Sequence, residues 1–318
     1  MNNIAAVVVT FNRLELLKGC IDSLRRQIIA PDAIIVVNNG SSDGTEAWLQ
    51  QQPDLILINQ GNSGGAGGFY TGIKEAHEKG YEWIWVMDDD CVASKDCLAT
   101  MLASLQSNNV LCVAPIVVDK EGKTDTRHRG CFDFSPQAPS IYVPINEHND
   151  TDILVDFASF VGLMIHSDAI KEIGLPKKEF FIHNDDVEYC LRLSRISKVL
   201  VSVKAKIHHL ENATATGVRR TFLHKVNYRT PFNQLWIRYY GMRNMTWIKK
   251  KYVFNQSKST RYKMLYLLTR SFLSDSKAII LYDDFKYKRL TFHFNAYRDG
   301  WKGEFDNDRP KRIVALQK

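Results

Sequence analysis

Four short apolar runs, each closed by a polar cluster, constrain this chain more than any other feature of it. Residues 4–9 are apolar and largely β-branched; they stop at Thr10, Phe11, Asn12 and Arg13, after which Leu14, Leu16, Leu17, Ile21 and Leu24 recur at helical spacing. Residues 33–37 end in a turn cluster at 38–45 that also caps a helix carrying Ala47, Trp48 and Leu49. Residues 55–58 lead into the glycine-rich stretch 61–68 and a helix expected over 69–79, and residues 83–87 run directly into Asp88, Asp89 and Asp90. Strands alternating with helices predict an α/β fold, a mainly parallel sheet with helices on both faces. Ligands of such sheets bind beyond the carboxyl ends of the strands, where every one of these polar clusters falls.

The rest of the chain differs in kind. Residues 110–160 hold Pro115, Pro136, Pro139 and Pro144 and predict a hairpin or flap rather than a long element. From Phe232 onward the pattern is helical and aromatic. Residues 1–218 carry 19 Lys and Arg against 28 Asp and Glu, a balance of −9, whereas residues 219–318 carry 23 against 7, a balance of +16. The division expected is a catalytic domain over 1–225 and a helical, basic region over 226–318 that serves a membrane surface or oligomerisation. Six scattered cysteines without a C-x-x-C pair or leader fit reduced thiols in a cytoplasmic setting. The most apolar run, 155–165, falls short of the roughly 18–20 residues needed to span a bilayer.

Three carboxylates in a row repel one another unless a hard cation such as Mg²⁺ or Mn²⁺ shares their charge with a substrate phosphate; the bland alternative is a solvated acidic turn. Glycine-freed amides around Gly64 and Gly65 are able to approach a phosphate, although the spacing fits neither the P-loop nor the dinucleotide fingerprint. A second acidic cluster, Asp185, Asp186 and Glu188, opens another helical pattern. A carboxylate there is held anionic by the helix dipole and suits a general base, or simply caps the helix. At 208–209 two histidines end a strand-like run, and strand alternation points only one of them into a site.

Together and in order, VVVTFNR (7–13), VVNNGSSDGT (36–45), NSGGAGGF (62–69), MDDD (87–90), HNDDVEY (183–189) and the histidine pair resemble the inverting family 2 glycosyltransferases of GT-A, Rossmann-like fold. Within that family the glycine loop, the triple aspartate and the DDVEY run look most like bacterial galactofuranosyltransferases, then rhamnosyltransferases. The resemblance implies that Thr10, Asn12, Arg13, Asn39 and Asp43 line the nucleoside pocket, with Gly64, Gly65, Asp88 and Asp89 also serving the donor. It implies a metal, Mn²⁺ or Mg²⁺, on Asp88, Asp90 and His209, and Asp186 as catalytic base. The chain departs from the family pattern at Asn39, where Asp is frequent, at Asn184, where Trp is frequent, and at Thr71, where an Arg is common.

The expected activity is metal-dependent, inverting transfer of galactofuranose or rhamnose from a UDP or dTDP donor to a hydroxyl of a polysaccharide or lipid-linked glycan. The expected location is cytoplasmic, peripheral on the inner face of the cell membrane, with a homo-oligomer as a further possibility. A nucleotidyltransferase acting on sugar phosphates is the alternative, but it would normally carry basic residues in a glycine loop after the first strand, where this chain has residues 10–13. A nucleic-acid-binding module is disfavoured by the acidic first domain.

Overall fold

The computed structural model describes residues 3–135, 141–142, 151–210 and 217–315. Its first strands and helices alternate: β1 (Ile4–Thr10), α1 (Leu14–Arg25), β2 (Ala33–Asn38), α2 (Thr45–Leu49), β3 (Leu55–Asn59), α3 (Gly64–Glu78) and β4 (Trp83–Asp88). They are followed by β5 (Cys91–Ala93), α4 (Cys97–Gln106), β6 (Cys112–Val118), β7 (Arg129–Cys131), β8 (Ile141–Tyr142), β9 (Ile153–Val155), β10 (Phe157–Ala158) and β11 (Leu163–His166). Next come α5 (Ser167–Ile173), α6 (Asp185–Leu193) and β12 (Val199–His209). The main sheet runs β3-β2-β1-β4-β11-β6-β12-β5, with β9 also paired to β12.

Strands β1 to β4 are mutually parallel; β11 is antiparallel to both β4 and β6, and β12 lies parallel to β6. In register, Thr10 faces Asn38 and Asn38 faces Asn59, while Val9 faces Asp88, so the polar ends of four strands share one edge of the sheet. Strand β1 is buried on both faces, as expected of a central parallel strand. Its Ile4, Ala6 and Val8 join a core with Leu17, Cys20, Ile21 and Leu24 of α1, together with Leu98 and Met101 of α4. Its other face receives α3.

That second face explains the glycines. The expected loop at 61–68 is only partly a loop, because α3 begins at Gly64 rather than near Phe69. Asn62 Oδ1 accepts the Gly64 amide at 2.9 Å, which starts the helix early. A Cβ on Gly68 would stand 2.4 Å from Val9 Cγ1, and one on Gly72 2.3 Å from Val7 Cγ1. These two glycines let helix backbone rest on strand side chains, a packing role that a phosphate-cradle reading does not supply.

The irregular stretch contains β6 and a small antiparallel sheet ordered β10-β7-β8; residues 136–140 and 143–150, with Pro136, Pro139 and Pro144, lie outside the described residues. All six cysteines are free thiols. No helix among the described residues is long and apolar enough to cross a membrane.

Contacts divide the chain into two compact units. One holds residues 1–132, 140–178 and 185–212; the other holds 133–139, 179–184 and 213–318. The second unit contains the hairpin β13 (Val218–Phe222) and β14 (Lys225–Arg229), then α7 (Trp236–Tyr252), α8 (Lys258–Tyr282), α9 (Lys286–Lys302) and α10 (Arg309–Ala315). Phe232, Leu235 and Tyr239 pack on Phe292 and Ala296 to form its core. Gly300 permits close approach of α9 to α7, since a Cβ there would meet the Arg243 carbonyl at 2.3 Å.

Candidate active site

The loops beyond β1, β2 and β3 are stitched to one another by their own polar groups. Asn12, in the left-handed region at φ 54°, accepts the Ser42 amide on Oδ1 at 2.7 Å, and its amide donates to Ser41 Oγ at 2.9 Å. Asp43 accepts the Leu14 amide at 3.1 Å and the Thr45 hydroxyl at 2.6 Å. Burial pushes its carboxyl upward a little, but these hydrogen bonds outweigh burial and hold it below the usual carboxylate range. Asn39 is buried; its Nδ2 donates to the Gly64 carbonyl at 3.1 Å and its Oδ1 accepts from Gln60 Nε2 at 2.6 Å. Gln60 also donates to Ser63 Oγ and accepts the Thr71 hydroxyl, so where the family commonly has an arginine this chain has a neutral tie. Gly65 lies at the first turn of α3 with open space where its Cβ would be.

The three aspartates are used differently. Asp89 is buried and turned into the protein, accepting the Thr10 hydroxyl at 2.7 Å with Arg13 Nη1 3.4 Å away. Burial nevertheless pushes it up to about 6. Asp90 meets Arg13 at 3.1 Å and His209 Nε2 at 3.3 Å. Burial raises Asp90, but the His209 hydrogen bond and the charges of His209 and Arg13 prevail and hold it below the ordinary value. For the Asp88 carboxyl, burial and like charge prevail over the charge of Arg13. It is raised well above the ordinary value by burial first, then by the charges of Asp90, Asp89 and Asp185.

His209 reaches Asp90 for a topological reason. Strand β5 starts immediately after the aspartates and pairs antiparallel with β12, setting His209 opposite Cys91, and the Leu210 amide donates to the Asp90 carbonyl at 3.0 Å. His208 pairs with Val92 and has no contact with the aspartates among those described. The Nδ1 of His209 is buried without a hydrogen-bond partner among the described residues.

The donor types present fit a divalent cation in their chemistry: the His209 imidazole, the Asp90 carboxylate it meets through Nε2, and the Asp88 carboxyl, raised by burial and by the charges of Asp90 and Asp89. No three His, Cys, Asp or Glu side chains stand in metal-ligand arrangement among the described residues.

The second acidic cluster opens α6. The Asp186 carboxylate accepts the Val187 amide at 2.7 Å, and burial pushes its carboxyl up to about 6. Asp185 is buried and is driven higher, to about 8, by burial and then by the charge of Asp186. Both therefore cannot be charged at little cost, and the charge of Asp185 is felt at Asp88. Glu188 is fully buried and committed to Arg192 at 2.9 Å, which removes it from the candidates for a base.

Two residues with no sequence signal also stand here. The rings of His128 and His209 meet edge to face with centroids 5.2 Å apart, and His128 Nδ1 shares a hydrogen bond with Ser159 Oγ at 2.8 Å. Arg129 is buried, donating to the Pro115 and Val161 carbonyls, and its charge lowers the pKa of Asp186.

A family model described as glycosyl transferase family 2 matches residues 5–174. The chain belongs to glycosyl transferase family 2. Galactofuranosyltransferase GlfT1 of Mycolicibacterium smegmatis is 31% identical over 201 residues, which are 60% of this chain and 65% of that protein. GlfT1 of Mycobacterium tuberculosis H37Rv is 32% identical over 202 residues, 61% of this chain and again 65% of the relative. The matched stretch thus spans just under two thirds of these relatives. The dTDP-rhamnosyl transferase RfbF of Shigella flexneri is 25% identical over 252 residues, covering 79% of this chain and 81% of that one. Among solved structures, GalNAc-T7 with UDP, GalNAc and Mn²⁺ is similar at a TM-score of 0.55, covering 98% of this chain and 58% of the other at 11% identity, a likeness of fold.

Proposed function

We propose that the chain transfers galactofuranose or rhamnose from a UDP or dTDP donor to a hydroxyl of a cell-surface glycan or lipid-linked acceptor, with inversion at the anomeric carbon. The observation that carries this reading is the meeting of two carboxyl clusters at the carboxyl edge of the sheet, one tied to His209 and the other opening α6. The names of the similar proteins support the sugar class.

Thr10 and Arg13 hold the aspartate cluster, while Asn12, Asn39 and Asp43 shape the nucleoside pocket. At the start of α3 Gly65 would serve the donor, whereas the Gly64 amide is already taken by Asn62 Oδ1. Asp88, Asp90 and His209 would hold Mn²⁺ or Mg²⁺, which when bound supplies Lewis-acid neutralisation of the leaving diphosphate. Asp186 takes the proton from the acceptor hydroxyl. That oxygen attacks the anomeric carbon from the face opposite the nucleotide, and one displacement needs one base. With its carboxyl near 6, Asp186 is ionised at neutral pH yet more basic than an ordinary carboxylate, as a general base should be.

The proposal extends to location: a cytoplasmic protein bound peripherally to an anionic membrane through its basic helical unit. The deciding experiment is release of UDP or dTDP from a panel of nucleotide sugars, with and without Mn²⁺, on galactofuranosyl- and rhamnosyl-terminated acceptors. Product formation from UDP-galactofuranose or dTDP-rhamnose only when Mn²⁺ or Mg²⁺ is present is expected. Transfer from neither donor, with turnover of another nucleotide sugar, would overturn the sugar assignment.

A further inference from the structure

Three of the six residues ahead of α6 carry unusual backbone. Phe181, His183 and Asn184 have φ of 65°, 69° and 63°, in the left-handed region, and none is glycine. A bulky aromatic in that region is strained, and such strain persists only where its surroundings over-determine it. These residues lead covalently into Asp185 and Asp186 at the start of α6.

The surroundings are two adjacent polar side chains of α7, both fully buried. Asn244 Nδ2 donates to the carbonyls of Phe180 at 3.0 Å, Ile182 at 3.1 Å and His183 at 2.8 Å. Arg243 Nη2 donates to the carbonyls of Glu179 at 3.2 Å and Phe180 at 3.0 Å. Arg243 Nε also donates to Asn244 Oδ1 at 3.0 Å, which fixes the orientation of the carboxamide, while its Nη1 is anchored on Asn307 Oδ1 at 2.9 Å. Phe181 stacks on Tyr240 with centroids 4.8 Å apart. Burying a guanidinium and a carboxamide is costly unless their donors are satisfied. Here the donors are spent largely on main-chain carbonyls of one short segment.

We propose that Arg243 and Asn244 are positioning residues for the glycosyl-transfer base: they hold residues 179–184 in a strained path and so set the direction in which α6, with Asp186 in its first turn, begins. This rests on the reading of Asp186 as the base. Without the carboxamide the segment relaxes toward right-handed or extended backbone, and the carboxylate leaves the position from which it takes the acceptor proton, while the nucleotide-binding loops keep their geometry.

The test uses the full chain, the donor and acceptor found active above, and UDP with Mn²⁺ as binding probe. Asn244→Asp keeps the shape and removes both donors; Asn244→Ala removes the group; Asn244→Ser, with one hydroxyl donor, serves if either fails to fold. Expected are a kcat loss of about 10- to 100-fold for Asn244→Asp and Asn244→Ala, with a smaller loss for Asn244→Ser. Donor KM and UDP affinity should stay within about twofold. Hydrogen exchange should rise in 179–190 and not in β1 or α3. In an Asp186→Asn background Asn244→Ala should cost little more, because both changes act through one carboxylate. Unchanged kcat, a parallel fall in UDP affinity, unchanged exchange in 179–190, or full multiplication of the two losses overturns the clamp. Near-normal turnover by Asp186→Asn alone overturns the base instead.

Discussion

At the scale of single residues, charge determines more than shape does. Asp90 and His209 hold each other, so removing either strips the cluster of its lowest-pKa carboxylate or of its imidazole. Asp90→Ala should abolish Mn²⁺-dependent UDP binding. His209→Ala should weaken Mn²⁺ binding by about tenfold or more, with His208→Ala nearly silent, as second-partner losses at metal sites typically do. Calorimetric titration of Mn²⁺ into each variant with UDP present measures both; equal effects of the two histidines would refute the assignment.

Asp186 supplies a pH prediction. Its carboxyl is raised by burial, so the proton is retained to higher pH than usual and the basic form is lost as pH falls through about 6. The pair with Asp185 titrates together, so log kcat/KM should fall with unit slope below an apparent value near 6 and be flat just above it. Asp186→Asn should keep UDP binding and lose transfer by about 10²- to 10⁴-fold.

Strand alternation in the sequence says only that one histidine of the pair enters a site; that it is His209 with Asp90 is implied by the family resemblance, and β5 pairing with β12 is what brings the two together. His128 and Arg129 were not legible at all. They arrive at the site through β7 and the turn before it, in a stretch whose prolines and charges give no period, so only tertiary pairing brings them beside His209 and Asp186.

Elements show the same division between local and non-local information. β1, β2, β3 and β4 were readable because each is an apolar run ending in polar residues, and β1 is buried on both faces. The start of α3 was misjudged because glycine is a poor helix former and reads as loop. What overrides propensity is the need for backbone to lie directly against Val7 and Val9. Gly72→Ala is therefore expected to destabilise the protein by about 1–3 kcal/mol despite improving helix propensity, since the new methyl overlaps Val7. Thermal unfolding of Gly72→Ala beside Gly65→Ala, where a Cβ meets nothing, isolates the effect. A destabilisation of Gly65→Ala equal to that of Gly72→Ala would show that packing on β1 is not the cause.

The aromatic and basic run of α7 is largely spent on packing. Tyr239, Tyr240 and Ile248 are buried; Trp247 packs on Phe180 and Phe305, and Lys250 lies over Trp301 while donating to its carbonyl. That helix faces its own unit. On α8, by contrast, Tyr262, Leu265, Tyr266, Leu273 and Ile280 are exposed, on a helix with five basic residues and one acidic.

For the molecule as a whole, the charge split from −9 to +16 along the chain gives the basic unit its own surface chemistry. Membrane attachment should therefore be carried by α8 rather than α7. Sedimentation with vesicles containing anionic lipid is expected at low salt and should weaken as salt is raised. It should also fall on joint reversal of Lys258, Lys263 and Arg270 to Glu, each worth about 1 kcal/mol near an anionic surface. Failure of the intact protein to sediment at low salt would leave α8 as an interface between copies.

Residues 179–184 have a consequence for how such a chain can be divided. They lie in the middle of the sequence yet belong by packing to the C-terminal helices, so neither unit is a contiguous piece of polypeptide. A fragment ending near residue 225 would carry Phe181 without the ring it stacks on and four carbonyls without their donors. The helical unit is then not a detachable tail that evolution or an engineer can exchange freely. Recombination between relatives would have to carry two distant stretches together, the few residues ahead of α6 and the helix that grips them, or inherit a mismatched join.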